Sequence, residues 1–366
     1  MANPCQAYYG ILSQLCSLFS HPKDGEKLLS KPQVRNLGLL AYGLFASGCC
    51  QLARIAGRVP VSASVRAALE RLERFLKNPL IDPIRAYEPV ALMLLSRFQG
   101  GSVRIIIDAT QLSGRVFMLF VAVAYRGRTL PLRWCMLDKN SVSSTSAEQI
   151  ELLDGVATLV KDGTSVTLLG DREYGTVQLI EYCLKRKWNF CLRVKKTRVV
   201  TLADGTTTNV GALGLRRGER LFFSGVCLPC LKSGTPVQLA CGWSALDPKD
   251  EPWFLLTNLP ADGHVLSLYR KRFWIEEMFR DFKEQGFRLE CTHVREAERI
   301  SRLLLGLCVA YVWLVNAGIW VSKRRLRRKI DHRRERQLSW FQIGMRYLQH
   351  SLASTKHTPC TLQAYK

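Results

Sequence analysis

Apolar positions recur along this chain with two different periods, and the point where the period changes divides it. Up to about residue 98 the spacing is helical. Leu37 to Arg54 reads as an apolar helix, and Ser64 to Lys77 as an amphipathic one with Val65, Leu69, Leu72, Phe75 and Leu76 on one side. Asn78-Pro79 stops the second, because proline disfavours helix before it and cannot continue the hydrogen-bond ladder. From Gly100-Gly101 the text becomes strand-like. Val103 to Asp108 is a short β-branched run that ends in an acid, and Val116 to Ala124 and Thr129 to Leu137 are joined by a turn at Arg126-Gly127. Thr145-Ser146-Ala147-Glu148 has the form of a capping box opening a helix that runs to about Val160. Val166 to Asp171 is a second buried strand ending in an acid, followed by a helix over Val177 to Arg186 and a strand over Trp188 to Val194.

Three strands, a helix, a strand, a helix and a strand make an α/β order with a mixed sheet. Asp108 and Asp171 both fall at carboxyl ends of strands, where open α/β sheets place their sites, and they approach each other if those strands are neighbours. The order resembles the ribonuclease H-like nuclease fold. Lys196 to Pro252 alternates β-branched and polar residues around an Asp204-Gly205 turn signal, which predicts a β-rich insertion. The expected organisation is a helical domain over 1–98, a catalytic core over 99–195 and 254–321, the insertion over 196–253, and a basic tail over 322–366.

Leu303 to Val321 is almost continuously apolar and runs straight into Lys323-Arg324-Arg325-Leu326-Arg327-Arg328-Lys329. About 18 or more apolar residues with a basic flank is a membrane-span pattern. A helix buried on all sides reads the same way, and Asn316 and two glycines within the run favour that reading. Beyond Arg336 an amphipathic pattern returns, with Trp340, Phe341, Ile343, Tyr347 and Leu348.

The 53 Lys and Arg outnumber the 30 Asp and Glu, giving a formal charge of +23. That excess implies a polyanionic partner, nucleic acid or an anionic membrane surface. Arg66, Arg71 and Arg74 lie off the apolar stripe of their helix, as a solvated face or as DNA contacts. The 13 cysteines are scattered and mostly embedded in apolar text, as at Cys183, Cys191 and Cys308. The first apolar stretch lacks a secretory pattern, so reduced thiols in a cytoplasmic protein are expected. Cys227 and Cys230 form a lone C-x-x-C, read as a turn around Pro229 rather than a zinc site because no second pair accompanies it.

Ser267 to Lys283 reads as one helix. At about 3.6 residues per turn it places Tyr269, Arg272, Glu276 and Lys283 on one narrow face, with Ile275, Met278, Phe279 and Phe282 turned to a core. An acid flanked by two cations and a phenol suits an anionic ligand bridged by a metal: the carboxylate holds the cation, and Arg and Lys hold phosphate oxygens. The spacing Y-x2-R-x3-E-x6-K of these four residues resembles the signature of the bacterial insertion-sequence-four transposases, cut-and-paste enzymes of the DDE type. Asp108 in I-I-D-A-T and Asp171 in D-R-E-Y-G are similar to that family's upstream motifs. Arg74 to Pro79 looks like its N-terminal helical region, so the similarity spans roughly residues 60–290.

The resemblance implies a catalytic and metal-binding trio of Asp108, Asp171 and Glu276 holding two Mg2+ or Mn2+ ions. Tyr269, Arg272, Lys283 and Trp253 become DNA contacts. It also implies strand nicking, a DNA hairpin intermediate, transfer to target DNA, a synaptic homodimer on the element's terminal inverted repeats, and a nucleoid-associated place in a bacterial cytoplasm with no membrane. The metals would generate the attacking nucleophile and stabilise the leaving oxygen, and hard carboxylate ligands select such ions. In the family a tryptophan placed like Trp253 stacks on a flipped base; a core tryptophan at a strand start is the other reading. Glu173 and Glu277 are read as surface or supporting acids. Two rivals stand beside the transposase: a resolvase-like nuclease that cuts without joining, and a non-enzymatic basic DNA-binding or membrane-anchored protein.

Overall fold

A computed structural model of the protein describes residues 4–19, 28–113, 116–138, 143–243 and 251–353. Five helices open it: α1 (Pro4–Phe19), α2 (Lys31–Ser47), α3 (Leu52–Ala56), α4 (Val65–Lys77) and α5 (Pro83–Leu95). The apolar run expected to be one helix from Leu37 to Arg54 breaks in the middle. Gly48 takes a left-handed conformation (φ 60°) and donates its amide to the Leu44 carbonyl, which caps α2 before α3 starts. α4 begins and ends where its residues imply, with the Ser64 hydroxyl accepting from the Ala67 amide. Leu72, Phe75 and Leu76 are buried, but Val65, assigned to the same stripe, is 56% exposed. It occupies the first turn, beyond the reach of the core. Arg66 faces solvent and pairs with Glu70, whereas Arg71 reaches back to Asn36 on α2.

The sheet contains β1 (Ser102–Ser113), β2 (Val116–Tyr125), β3 (Arg128–Asp138), β4 (Ser165–Gly170) and β5 (Asn189–Arg193). To these it adds β8 (Arg220–Val226), β9 (Val237–Gly242) and β10 (Trp253–Thr257), while β6 (Val199–Thr201) and β7 (Thr207–Asn209) pair separately as a small hairpin. The spatial order is β3-β2-β1-β4-β5-β10-β9-β8. β1, β4 and β5 run parallel, and every other neighbouring pair in the sheet is antiparallel. This is a mixed α/β architecture. Segment 196–253 is β-rich as its residues imply, but β8 and β9 extend the main sheet through β10 instead of forming a body of their own. β1 also differs from expectation: it continues past Asp108 to Ser113, paired on that stretch only with β2.

Helices α6 (Ser146–Ala157) and α7 (Val177–Lys185) connect the parallel strands. The capping box at the start of α6 is complete, with Thr145 and Glu148 each bonding the other's backbone amide. Next come α8 (Gly263–Tyr269) and α9 (Trp274–Arg280), then α10 (Ala297–Lys323) and α11 (Trp340–Ala353). α10 is long and apolar enough to cross a membrane, with mean hydropathy 2.0 over its most apolar stretch, yet 94% of that stretch is buried inside the protein. It packs against α2, α5, α11 and β3. The helical region before residue 98 and the segment after 322 therefore share one buried cluster with the sheet.

Two glycines allow α10 and α11 to cross at backbone distance. A Cβ on Gly318 would lie 1.8 Å from the Trp340 carbonyl oxygen, and one on Gly344 would lie 1.9 Å from that of Leu314. Because both obstacles are backbone, no rotamer change relieves them. Gly318→Ala should therefore destabilise the fold by about 1–3 kcal/mol or more, seen as a lower urea midpoint at an unchanged m-value. An unchanged midpoint would show that this helix crossing is not tight.

Candidate active site

Asp108 is the first residue of β1 beyond its parallel pairing with β4, whose last pair is Ile107 with Gly170. Asp171 follows the final residue of β4 directly, so adjacent parallel strands deliver the two acids side by side. Glu276 arrives from α9, which packs across β1, β2 and β3 on its buried residues Ile275, Met278 and Phe279. All three carboxylates meet one guanidinium. Arg272 Nη2 lies 2.9 Å from Asp108 Oδ2 and 3.3 Å from Asp171 Oδ2, and Nη1 bonds Glu276 Oε1.

The Arg272 side chain is only 7% exposed. Burial works against its charge, but Asp108 first, then Tyr269, Asp171 and Glu276, hold the guanidinium above its ordinary pKa. Asp108 shows the opposite balance. Burial is the largest influence and pushes its carboxyl up to about 7; Arg272 counters, Asp171 and Glu276 add to the rise, and a bond from the Ala109 amide opposes it. Three acids facing one another in a low-dielectric cleft are tolerated because a cation lies among them.

The segment expected to be one regular helix over Ser267 to Lys283 is instead a composite. After α8 the chain tightens to a 3-10 turn over Arg270–Phe273, resumes as α9, and loosens to a π turn over Asp281–Gln285. The regular angular spacing of an ideal α-helix is not kept through the segment, yet Tyr269, Arg272 and Glu276 still gather at one place. Arg272 and Glu276 join the acids. Tyr269 is fully buried, close enough to Arg272 and Asp171 to feel both charges; burial dominates and raises its phenol. Lys283 falls in the π turn and pairs with Glu290 at 3.8 Å. Trp253 opens β10 at 7% exposure, its ring edge-on to Tyr269 at 5.0 Å and tilted against Phe273 at 5.8 Å. This is the packing expected of a core tryptophan.

Supporting residues complete the site. Glu173 is exposed; partial burial, then Asp171, raises its pKa against Lys195 and Arg172. Glu277 bonds Arg128 at 2.7 Å and Arg280 at 2.8 Å. Two features went unread in the sequence. Tyr174, in the D-R-E-Y-G motif, is wholly buried beside Asp108, Asp171 and Arg272, and its hydroxyl has no hydrogen-bond partner. Asp281, 1% exposed in the π turn, lies 3.5 Å from Arg128 Nε and beside the buried phenol of Tyr311. An acid between the core residues Phe279 and Phe282 was the signal available for it. Arg128 begins β3, so this ion cluster ties the end of the Glu276 helix to the β2–β3 hairpin and serves to position it.

The donor chemistry fits a hard divalent cation. All three convergent side chains are carboxylates, and Asp171 Oδ1 is buried without a hydrogen-bond partner. The geometry is not a closed cage, since among the described residues no three His, Cys, Asp or Glu side chains are grouped closely enough to hold one ion. The guanidinium stands between the acids. Cys227 and Cys230 are exposed, follow β8, and belong to no such group either.

Comparison with known proteins places the chain in a family. The family model described as the transposase DDE domain matches residues 99–313, and the chain belongs to that family. It is thus a DNA transposase of the DDE type, an enzyme acting on DNA, and such domains generally use divalent metals. No curated protein matches. Among solved structures, a cryo-EM structure of the piggyBac transposase synaptic complex with hairpin DNA is similar at 11% identity and a TM-score of 0.48, covering 97% of this chain and 81% of that one.

The buried cluster yields a pH-dependent prediction. Burial first, opposed by Arg128 and reinforced by Glu277, raises Asp281 from 3.8 to about 7, so between those values the folded state binds more protons than the unfolded state. Stability should fall as pH rises through that window. Arg128→Ala strips a buried carboxylate of its cation and should cost about 3–5 kcal/mol at pH 8 and less at pH 5. Adding Asp281→Asn should recover part of the loss in a double-mutant cycle followed by urea unfolding. Additive effects that do not vary with pH would dissolve the cluster.

Proposed function

We propose that Asp108, Asp171 and Glu276 are the catalytic and metal-binding acids of a cut-and-paste transposase of the insertion-sequence-four type. Their core is of the ribonuclease H-like kind. The observation that carries this reading is the convergence of these three carboxylates, from β1, the end of β4 and α9, on the single guanidinium of Arg272. The strand order and the parallel β1–β4 pair support the core assignment, because they are what brings the two aspartates together.

Two Mg2+ or Mn2+ ions, bound by the trio, would supply a nucleophile at neutral pH and stabilise the leaving oxygen of the scissile phosphodiester. The chain's own residues do the rest. Asp108 sits within β1 and Asp171 just past the end of β4, and Glu276 on a helix anchored at both ends, so the donors keep their spacing while DNA binds and leaves. Arg272 balances the carboxylates and offers a fork-shaped donor to phosphate oxygens. Lys283, one turn beyond α9, is a second phosphate contact. Trp253, Tyr269 and Phe273 pack as one aromatic cluster whose Phe273 ring lies under the Arg272 guanidinium, and base stacking by Trp253 would require it to leave that cluster.

Residues 1–98 are proposed to bind the element's terminal inverted repeats, and 99–195 with 254–321 to form the catalytic core. A synaptic homodimer, a hairpin intermediate and a bacterial cytoplasmic location complete the reading. Burial of α10 within the protein supports its role as a core helix with no membrane.

Glu276→Ala should abolish cleavage of the element's own ends in Mg2+ while leaving their binding affinity in EDTA within about twofold. Wild-type protein should go on to join cleaved 3′ ends to a target plasmid. A variant that still cuts would remove Glu276 from the site, and cleavage without joining would favour a resolvase-like nuclease.

A further inference from the structure

The C-terminal part of the fold holds a cavity that the site above does not use. It measures about 460 Å3 and lies where the end of α10 meets α11. Trp320 and Tyr347 form its aromatic side, with ring centroids 6.0 Å apart at 55°. Leu326 and Ile330 give it apolar walls, while Arg324, Lys329 and His350 stand at its exposed rim. The Arg324 guanidinium is already stacked over Trp320, 5.6 Å from the ring centroid. Among the described residues no acidic side chain lines the cavity.

Charge identifies the occupant. Residues 323–336 carry nine Lys and Arg against Asp331 and Glu335, the densest cationic stretch of a chain that is +23 overall. Arg327 folds this segment on itself by bonding Asp331 and the carbonyls of Arg333 and Arg334, and most of the remaining cations face solvent. An aromatic face accepts any base by stacking, and cations at its rim suit the flanking phosphates. The volume lies within the range of about 300–1,000 Å3 usual for small-ligand sites, which is room for a base and its sugar and too little for a duplex.

We propose that this cavity binds a single unpaired nucleotide of the DNA substrate, stacked on Trp320 and clamped by Arg324 and Lys329. The site lies apart from the three acids. The adjoining Arg336 packs on Trp340, whose indole nitrogen donates to the Arg126 carbonyl in the β2–β3 turn. That turn follows the end of β2, whose Phe120 is the partner of Asp108. An unpaired nucleotide held there gives the transposase a second grip on DNA, one that senses strand ends or distorted duplex.

The inference rests on DNA being the partner, so its test reads binding and not cleavage. Full-length Asp108→Asn protein is titrated in EDTA with a fully paired duplex and with the same duplex bearing one unpaired 5-iododeoxyuridine. The unpaired site should bind more tightly, and ultraviolet crosslinking should label the peptide containing Trp320 or Tyr347. Trp320→Leu should weaken binding to the unpaired duplex by about five- to a hundredfold with little effect on the paired one, and Trp320→Phe should restore it. Arg324→Gln with Lys329→Gln should lower the salt slope by about two.

Equal affinity for the two duplexes, or crosslinks confined to other peptides, overturns the proposal while leaving DNA binding intact. Failure to bind either duplex removes the DNA reading as well. If these variants lose affinity for phosphatidylserine vesicles and keep it for DNA, the cavity takes a lipid headgroup and the proposal fails. It fails too if discrimination appears only after residues 354–366 are deleted, because the occupant is then the chain's own C-terminal segment.

Discussion

Three carboxylates do not share a buried cleft unless something positive stands among them, and in this protein that is the guanidinium of Arg272. Desolvation and mutual repulsion would otherwise protonate one or more acids or force them apart. The surrounding fold can be understood as the means of holding that arrangement. A parallel pair of strands sets two of the acids in register, and a helix laid across three strands brings the third. Burial of Arg272 over the Phe273 ring, which packs in turn on Tyr269 and Trp253, keeps the cation from swinging into solvent. The raised pKa of Asp108, caused first by burial, falls on the least exposed of the three acids.

The same logic recurs one step along the helix. Where α9 loosens into the π turn, Asp281 enters the core and meets Arg128 at the start of β3. Glu276 is therefore fixed from two sides, by Arg272 on its own element and by an ion cluster rooted in the β2–β3 hairpin. Asp281 is buried in that π turn, and Lys283, in the same turn, pairs with Glu290. The irregularity in the helix and the ion pair thus explain each other, since neither an acid in the core nor a break in helical spacing would persist alone.

Much of this was legible in the residues. The strand run ending at Asp171, the capping box at Thr145, and the Asn78-Pro79 stop each follow from local chemistry, and the structure carries them out, whereas the strand expected to end at Asp108 continues to Ser113. The juxtaposition of Asp108, Asp171 and Glu276 was also anticipated, because strand order and the signature spacing both pointed to it. What failed to show were the non-local choices. Nothing in the alternation of 220–242 says whether those strands form their own sheet or join the main one, since both bury the same faces. The break at Gly48 was hidden inside an apolar run whose composition favours helix throughout. Regular spacing predicted one face for Tyr269 through Lys283, but tertiary packing retuned the helix at both ends. The apolar run at 303–321 was ambiguous between lipid and protein surroundings, and its close crossing with α11 at Gly318 and Gly344 depends on a partner helix more than twenty residues away.

Diffraction from crystals of the full-length protein soaked in Mn2+, with data collected at the manganese edge, tests the central claim most directly. Anomalous density coordinated by Asp108, Asp171 and Glu276 is the predicted result. Manganese bound elsewhere, with these three side chains still closed around Arg272 and carrying no metal, would contradict it.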